Sequence, residues 1–275
     1  MVSMSALLLL MASCGGNKTG SVADEVSTDS VSERDVNDLD SLTEEISETP
    51  VPKAADGLFD DFIFNFAANK KLQMERILFP LRCVDGSKKE MISRQQWKME
   101  YFFMRQGYYT LLFDNEEQME VLTDTTVNQA IVERIDFASS KINQYVFVRP
   151  KGAWLLTAIR VIPVSQSSNA SFLEFYRRFS SDMSFQMESL GATVKFVGPD
   201  PDDDFNQMEG IITPDTWEAF APQLPSKEIY NIIYGSPRKE CDTKHFILRG
   251  IANGQELEMS FRRRNGKWLL TKLTT

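Results

Sequence analysis

Apolar and polar residues alternate near the end of the chain with the period of a β-strand. Leu257, Met259 and Phe261 are separated by single polar residues, which predicts a strand with one buried face. Asn265-Gly266 follows, and this pair favours a tight hairpin turn. The apolar segment that begins at Trp268 then predicts the next strand.

Phenylalanines spaced three and four residues apart give two other segments the period of a helix. They are Phe59, Phe62 and Phe66 in the first segment and Phe172, Phe175 and Phe179 in the second. Residues at this spacing share one face of a helix. Each segment therefore predicts a helix that buries a single apolar stripe.

The two helical segments belong to a longer pattern that occurs twice. Gln73-Met74-Glu75 follows the first segment, and Gln186-Met187-Glu188 follows the second at an offset of 113 residues. The segment Gly-x-Trp-Leu-Leu-Thr that begins at Gly152 recurs from Gly266 at an offset of 114. Ordered blocks at nearly constant offset indicate a duplication, and we expect one domain at 57–163 and a second at 170–275.

Between these blocks, Trp97 and Trp217 correspond at an offset of 120. Ser93 and Thr213 stand where a helix N-cap is expected, so both tryptophans are assigned to a short second helix. We expect each domain to run helix, a strand that contains Gln-Met-Glu, short helix, and then a meander of three or four antiparallel strands.

This α+β order, with helices packed on a curved antiparallel sheet, resembles the cone-shaped nuclear-transport-factor-2-like and cystatin-like folds. The duplicated units, together with the amino-terminal features described next, resemble a family of Bacteroides-type envelope lipoproteins of unknown function. The resemblance implies two tandem cone-like units and a location, but no reaction.

The amino-terminal segment indicates export. The apolar run from 5 to 12 has the length of a signal-peptide core, too short to span a bilayer. Small residues then precede Cys14, a pattern that resembles the lipobox of bacterial lipoproteins. We therefore expect residues 1–14 to form a lipoprotein signal peptide whose Cys14 carries the lipid, and the protein to be anchored in the cell envelope, at the periplasmic or the surface face of the outer membrane.

Residues 15–56 carry eleven acids against three bases and no aromatic residue, which predicts a disordered acidic tether. Ser30 and Ser41 lie in Asp-Ser-apolar triplets similar to O-glycosylation acceptors of Bacteroides-type bacteria. The remaining body is nearly neutral and has no basic surface for phosphate backbones, so nucleic acid is not an expected partner.

A polar pair beside aromatic residues is the candidate ligand site in each unit. If Gln and Glu two apart in a strand share a face, each cone receives two polar anchors and aromatic walls. The candidate pocket residues are Gln73, Glu75, Trp97, Tyr101 and Tyr109 in the first unit and Gln186, Glu188, Trp217, Tyr230 and Tyr234 in the second. The alternative is that the polar pairs face solvent or cap a helix while the aromatics fill the cone.

The sequence contains few other candidate catalytic or metal-binding residues. The single histidine, His245, is expected to be structural because its counterpart Ile131 is apolar. Asp200, Asp202 and Asp204 alternate as in a calcium loop, but Phe205 stands where that loop needs glycine, so a solvated loop is predicted. No metal and no cofactor is expected.

Two cysteines, Cys83 and Cys241, remain apart from Cys14 and can pair or stay free. The sequence favours a non-catalytic envelope lipoprotein that binds a small ligand, a glycan or a partner protein. The alternative function is a cone-fold enzyme that uses the carboxylates of Glu75 or Glu188.

Overall fold

A computed structural model describes residues 56–200 and 203–275 of the chain, with the side chains of 201–205 left out. The signal peptide, Cys14, the acidic tether up to residue 55 and the acceptor residues Ser30 and Ser41 lie outside the described residues. These assignments stay predictions.

The phenylalanine stripes form helices, as predicted. The α-helices are α1 (Phe59–Ala68), α2 (Lys70–Arg76), α3 (Ala170–Phe179) and α4 (Met183–Glu188). Phe59, Phe62 and Phe66 are buried along one side of α1, and Phe172 and Phe179 are buried along α3. Among the described residues, no helix has the length and apolar character needed to cross a membrane.

Five short 3-10 helices complete the helical part of the described chain. They are Phe102–Arg105, Glu116–Thr123, Pro150–Gly152, Val164–Gln166 and Pro214–Ala219. Trp217 lies in the last of them, whose first residue is Pro214 and whose Thr213 forms the predicted cap. Trp97 differs, because it follows a single turn in which its amide donates to the Ser93 carbonyl.

Twelve strands of the described chain join into one sheet. They are β1 (Ile77–Asp85), β2 (Lys88–Ile92), β3 (Tyr108–Phe113), β4 (Gln129–Asp136), β5 (Lys141–Val148), β6 (Leu155–Pro163), β7 (Leu190–Asp200), β8 (Asp203–Ile212), β9 (Glu228–Tyr234), β10 (Thr243–Gly250), β11 (Glu256–Arg264) and β12 (Lys267–Thr274). Their order across the sheet is β2-β1-β6-β5-β4-β9-β3-β10-β11-β12-β7-β8. The protein is thus an α+β protein with a large mixed sheet.

The strand order repeats from the two edges towards the centre. One side runs β2-β1-β6-β5-β4, and the other runs β8-β7-β12-β11-β10, which are the corresponding strands of the second half. At the centre, β9 pairs with β4 and β3 pairs with β10, while β3 and β9 lie parallel to each other. Each half has therefore given its third strand to the sheet of the other, a feature that we call the strand exchange.

The two hydrophobic cores lie on opposite faces of this sheet. Tyr145 and Phe147 of β5 belong to the core under α1, whereas Ile142 of the same strand belongs to the core under α3. Successive side chains in a strand point to opposite faces, so residues separated by an odd number face different sides. The predicted division into domains at 57–163 and 170–275 stays a prediction, because the shared sheet does not separate them.

The predicted hairpin turn at Asn265-Gly266 is confirmed. Asn265 and Gly266 both have positive φ, at 50° and 78°, between β11 and β12. Lys151 and Gly152 also have positive φ, but they lie in a longer connection between β5 and β6. Two successive residues with positive φ match the handedness of adjoining strands, which is why Asn-Gly suits this turn.

The predicted strand around Gln-Met-Glu is wrong, because both copies are helical. Gln73 and Glu75 lie in α2, and the first strand begins after them at Ile77. Asn69 starts α2 by accepting a hydrogen bond from the Leu72 amide, and Asp182 starts α4 in the same way through Phe185. A side-chain cap of this kind begins a new helical turn where the first helix has ended.

Candidate functional site

The predicted polar anchor Gln73 is fully occupied by hydrogen bonds inside the protein. Its amide nitrogen donates to the carbonyls of Phe66 and Glu100, at 2.9 and 2.6 Å. Its oxygen accepts from Trp97 Nε1 and from the Glu100 amide, both at 3.1 Å. A glutamine side chain has two donors and two acceptor positions, so Gln73 retains none for a ligand.

Gln186 repeats half of this arrangement. Its nitrogen donates to the Phe179 carbonyl at 2.7 Å, and its oxygen accepts from Trp217 Nε1 at 2.9 Å. Gln186 is buried and Trp217 has no exposed surface. The structure therefore brings each predicted Gln–Trp pair together, as a bond that ties the second helix of a half to the segment carrying its tryptophan.

The two glutamates of the motif point away from these pairs. Glu75 and Glu188 are both exposed, on α2 and α4. In a helix, residues two apart lie on different faces, so a buried glutamine places the glutamate outside. The two carboxylates are not enclosed with their predicted partners.

The predicted pocket tyrosines belong to the packed interior and its borders. Tyr109 and Tyr230 are buried, and the ring centre of Tyr109 lies 5.2 Å from that of Phe103. Tyr234 donates its hydroxyl to Asp60 of α1, and Tyr101 lies 4.1 Å under the Arg105 guanidinium. Burial raises the pKa of Tyr230, Tyr234 and Asp60. Aromatic side chains thus fill the space that the sequence assigns to a ligand.

A groove lies instead on the sheet face opposite α1, beside the segment that joins the two halves. The segment 164–169 and the loop at 236–240 flank it, and the open part measures about 450 Å³. It is lined by Gln144, Arg160, Ile162, Gln166, Ser167, Ser168, Pro237, Arg238 and Lys239. We call this feature the junction groove. Its volume is in the range of small-molecule sites, which often lie between domains.

Positive charge dominates the junction groove. Arg160, Arg238 and Lys239 line it, and within the part of the chain that the structure describes none of their side chains has an ion-pair or hydrogen-bond partner. Guanidinium groups form paired hydrogen bonds with carboxylate, phosphate or sulfate oxygens. The groove therefore offers free cationic donors to an anion.

A smaller cavity of about 60 Å³ continues from the groove, with Ser168, Pro237 and Arg238 shared between the two. Its wall includes Lys244, whose ammonium donates to Asp114 and, at 2.6 Å, to Asn169. Lys244 is buried. These two bonds join β10, the end of β3 and the start of α3, so they fix one wall of the smaller cavity to both halves.

A row of polar side chains runs from the groove into the centre of the sheet. Thr110, Asn231, Glu133, Gln144 and Arg160 are cross-strand neighbours in β3, β9, β4, β5 and β6. We call them the polar row. Arg160 is exposed in the groove, whereas the other four residues are buried.

Glu133 is the centre of the polar row. Gln144 donates to one carboxyl oxygen at 2.9 Å, and Asn231 donates to the other at 3.3 Å. Burial raises the pKa of Glu133, and the two hydrogen bonds oppose this effect only in part. The side-chain oxygen of Asn231, Oδ1, is buried without a hydrogen-bond partner among the described residues. A protonated Glu133 has a hydroxyl that can donate to such an acceptor.

The sequence did not identify the groove or the polar row. Their residues come from five strands and two loops, and no local spacing relates them. A glutamate between Ile131 and Ile135 on one face of β4 is the one visible signal, because it places a carboxylate in an otherwise apolar stripe. Cys83 and Cys241 are free thiols, which settles the alternative that the sequence left open.

The arrangement of these elements defines a class of fold: an α+β protein in which helices pack on one sheet that is built from the strands of both halves. A crystal structure of a nuclear-transport-factor-2-like protein from Bacteroides fragilis is similar to it, with 39% sequence identity and a TM-score of 0.74. The similarity covers 82% of this chain and 98% of that chain. The fold is therefore nuclear-transport-factor-2-like.

The family is shown by sequence as well. The model of a domain of unknown function, DUF4348, matches residues 38–275, so the chain belongs to that family. No curated protein matches the chain.

Proposed function

We propose that the protein is a non-catalytic binding protein of the cell envelope, and that the junction groove takes an anionic small ligand such as an acidic saccharide. One observation carries the proposal: Arg160, Arg238 and Lys239 face one groove without a carboxylate partner among the described residues. Three unpaired cations at one place favour an anion, since a carboxylate or sulfate would satisfy them.

Surrounding residues suit an acidic saccharide better than a bare ion. Gln144, Gln166, Ser167 and Ser168 add neutral donors and acceptors along the groove. Ile162 and Pro237 supply apolar contact, and saccharides present both hydroxyls and apolar C–H faces. The groove is open to solvent, which suits one end or one edge of a longer molecule.

Catalysis by the carboxylates of Glu75 and Glu188 has weaker support. Both side chains are exposed on helices rather than enclosed in apolar surroundings. An acid–base carboxylate needs an environment that adjusts its pKa to the reaction. We therefore favour binding over the carboxylate-dependent enzyme.

We also propose that Cys14 anchors the protein in the envelope through lipid and that the acidic segment 15–56 tethers the body, with its last residue, Asp56, bound to Arg76. The apolar run before Cys14 and the acidic composition after it support this arrangement. Two cone-like tandem units are the companion proposal. The repeated strand order and the repeated Gln–Trp bonds support it. Membrane fractionation of cells expressing wild type and Cys14→Ser tests the anchor, because the variant should leave the membrane fraction.

The groove is tested by calorimetric titration with a galacturonate trimer, a sulfated disaccharide and a neutral oligosaccharide of equal length. We expect the charged probes to bind and the neutral one not to bind. Arg160→Gln and Arg238→Gln should each weaken binding about tenfold, since a hydrogen bond to a charged group is worth roughly 1.5 kcal/mol or more.

The matched control is Arg262→Gln, which removes the same charge from an exposed position on β11. It should leave the affinity unchanged. Equal binding of the neutral oligosaccharide, or equal weakening by Arg262→Gln, would contradict a charge-selective groove.

A further inference from the structure

A second cluster of polar residues lies on the other face of the sheet. Glu258 of β11 pairs with Ile247, which pairs with Leu111 of β3. Leu111 is the immediate neighbour of Thr110 in the polar row, so Glu258 points to the opposite face. His245 of β10 lies on that face too, because it pairs with Phe113 and Ser260.

Glu116 completes this cluster from a different element. It lies in the 3-10 helix Glu116–Thr123, which follows β3 three residues after Phe113. One ligand atom from each of Glu116, His245 and Glu258 can be chosen so that all three atoms lie within 4.8 Å of one another. The cluster unites an imidazole with two carboxylates.

The separations suit a shared metal ion better than direct hydrogen bonds. His245 Nδ1 and Glu258 Oε1 are 3.4 Å apart, whereas a charge-assisted hydrogen bond is about 2.7–2.9 Å long. Two ligands on a tetrahedral ion with bonds of about 2.1 Å are roughly 3.4 Å apart, and zinc forms bonds of this length with histidine and carboxylate. Glu116 must move inward slightly, which its exposed side chain allows.

The surroundings of the cluster support metal binding over nucleophilic catalysis. Ser260 Oγ lies 3.2 Å from His245 Nδ1, the same nitrogen that faces Glu258. In a nucleophile–base–acid relay the hydroxyl and the acid contact different ring nitrogens, so this trio does not form one. As a neighbour of both ligands, Ser260 can orient them instead.

Exposure of the cluster leaves room for an ion and for water. The side chains of His245 and Glu258 are 15% and 17% exposed, and Glu116 is open to solvent. Lys272 of the adjacent β12 is a cation that interacts electrostatically with Glu258. A divalent ion must compete with it, and the second carboxylate, Glu116, supplies the charge to do so.

We propose that Glu116, His245 and Glu258 bind one divalent transition-metal ion, with Zn²⁺ as the best match to one nitrogen and two carboxylate oxygens. Water completes the coordination. The site is separate from the junction groove and does not depend on the proposed ligand. It departs from the expectation, drawn from sequence, that the protein has no metal site.

The test is titration of the full metal-free chain, carrying Cys14→Ser, with Zn²⁺ by calorimetry and with Co²⁺ by visible absorption. We expect one ion per chain and a cobalt spectrum typical of nitrogen and oxygen ligands. Loss of an outer partner of a metal ligand already weakens binding about 10–100-fold. His245→Ala and Glu116→Gln, which remove ligands, should weaken it at least tenfold.

Glu117→Gln is the matched control, since it removes the same charge from the neighbouring exposed residue. It should bind Zn²⁺ as the wild type does. Thermal unfolding checks that each variant folds, and Zn²⁺ should raise the midpoint of the wild type and of Glu117→Gln alone. Binding that survives both ligand substitutions, or no binding at millimolar Zn²⁺, would overturn the proposal.

Discussion

Replacing Gln73 by leucine tests whether the repeated glutamines stabilise the fold or serve to bind a ligand. Gln73 makes four hydrogen bonds, and its counterpart Gln186 makes two. A typical hydrogen bond contributes about 1 kcal/mol net to stability. Gln73→Leu should therefore lower the free energy of unfolding by about 4 kcal/mol, and Gln186→Leu by about 2 kcal/mol.

The difference of about 2 kcal/mol between the two variants is the more secure quantity. Both substitutions are chemically the same, both sites are buried, and both leave a tryptophan N–H without its acceptor. Errors in the gain from burying leucine therefore largely cancel. Gln95→Leu, at an exposed position in the turn before Trp97, should change stability by less than about 0.5 kcal/mol.

Urea unfolding followed by tryptophan fluorescence measures the three losses. The midpoint should fall most for Gln73→Leu, less for Gln186→Leu and hardly at all for Gln95→Leu, with little change in slope. Equal losses at the two buried positions would refute the assignment of four bonds to Gln73. Unchanged stability of both variants would refute the structural role altogether and return these residues to the list of candidate ligand contacts.

Three further predictions concern the interior and the connectivity. Lys244→Met should destabilise by about 3 kcal/mol because it leaves Asp114, whose side chain is 14% exposed, without its cation, and adding Asp114→Asn should restore most of the loss in thermal unfolding. Glu133→Gln should raise the unfolding midpoint at pH 7. A protein that contains a carboxyl group whose pKa is raised on folding loses stability as pH rises. The advantage of the glutamine variant should therefore vanish below about pH 4.5, the ordinary pKa of a glutamate. An advantage that does not depend on pH would contradict this explanation. Residues 57–163 made alone should form a dimer that exchanges β3, measured by light scattering; a stable monomer would show that β3 can pair within its own half.

Local pattern predicted much of the fold because local physics determines it. The alternation around Met259 gave β11, the Asn265-Gly266 pair gave the turn, and the phenylalanine spacing gave α1 and α3. Thr213 and Pro214 likewise marked the start of a helical turn at Trp217. In each case neighbouring residues fix the backbone without help from distant ones.

The strand exchange could not be predicted in this way. Alternation in β3 and β9 shows which side chains are buried, but both strands bury the same kinds of residue whichever partner they take. The strand predicted around Gln73 has a related cause, since a polar residue between Leu72 and Met74 fits the period of a strand or of a helix over so short a length. The side-chain cap at Asn69 is the local feature that distinguishes this helix from a strand.

The candidate site could be predicted only in part for the same reason, because local pattern does not identify the distant partners of a side chain. The sequence named Gln73, Trp97, Gln186 and Trp217, and the structure joins them in pairs. The sequence predicts them as ligand contacts, however. Spacing indicates that polar and aromatic side chains lie close together, but it does not show that they form hydrogen bonds with each other. The sequence does not distinguish the cationic residues of the junction groove, because exposed arginine and lysine are common on any protein surface.

Chain connectivity imposes an order of events on folding during synthesis. The strand β4 is made early, yet its neighbour β9 is made only after the whole of α3, α4, β7 and β8 has followed. Until then the first half exposes an unpaired β4 edge beside an apolar core, the kind of edge that recruits other chains. A nascent chain of this protein therefore depends on protection of that edge until Tyr234 has emerged, and a fragment that ends before that point can complete its sheet only by pairing with another chain.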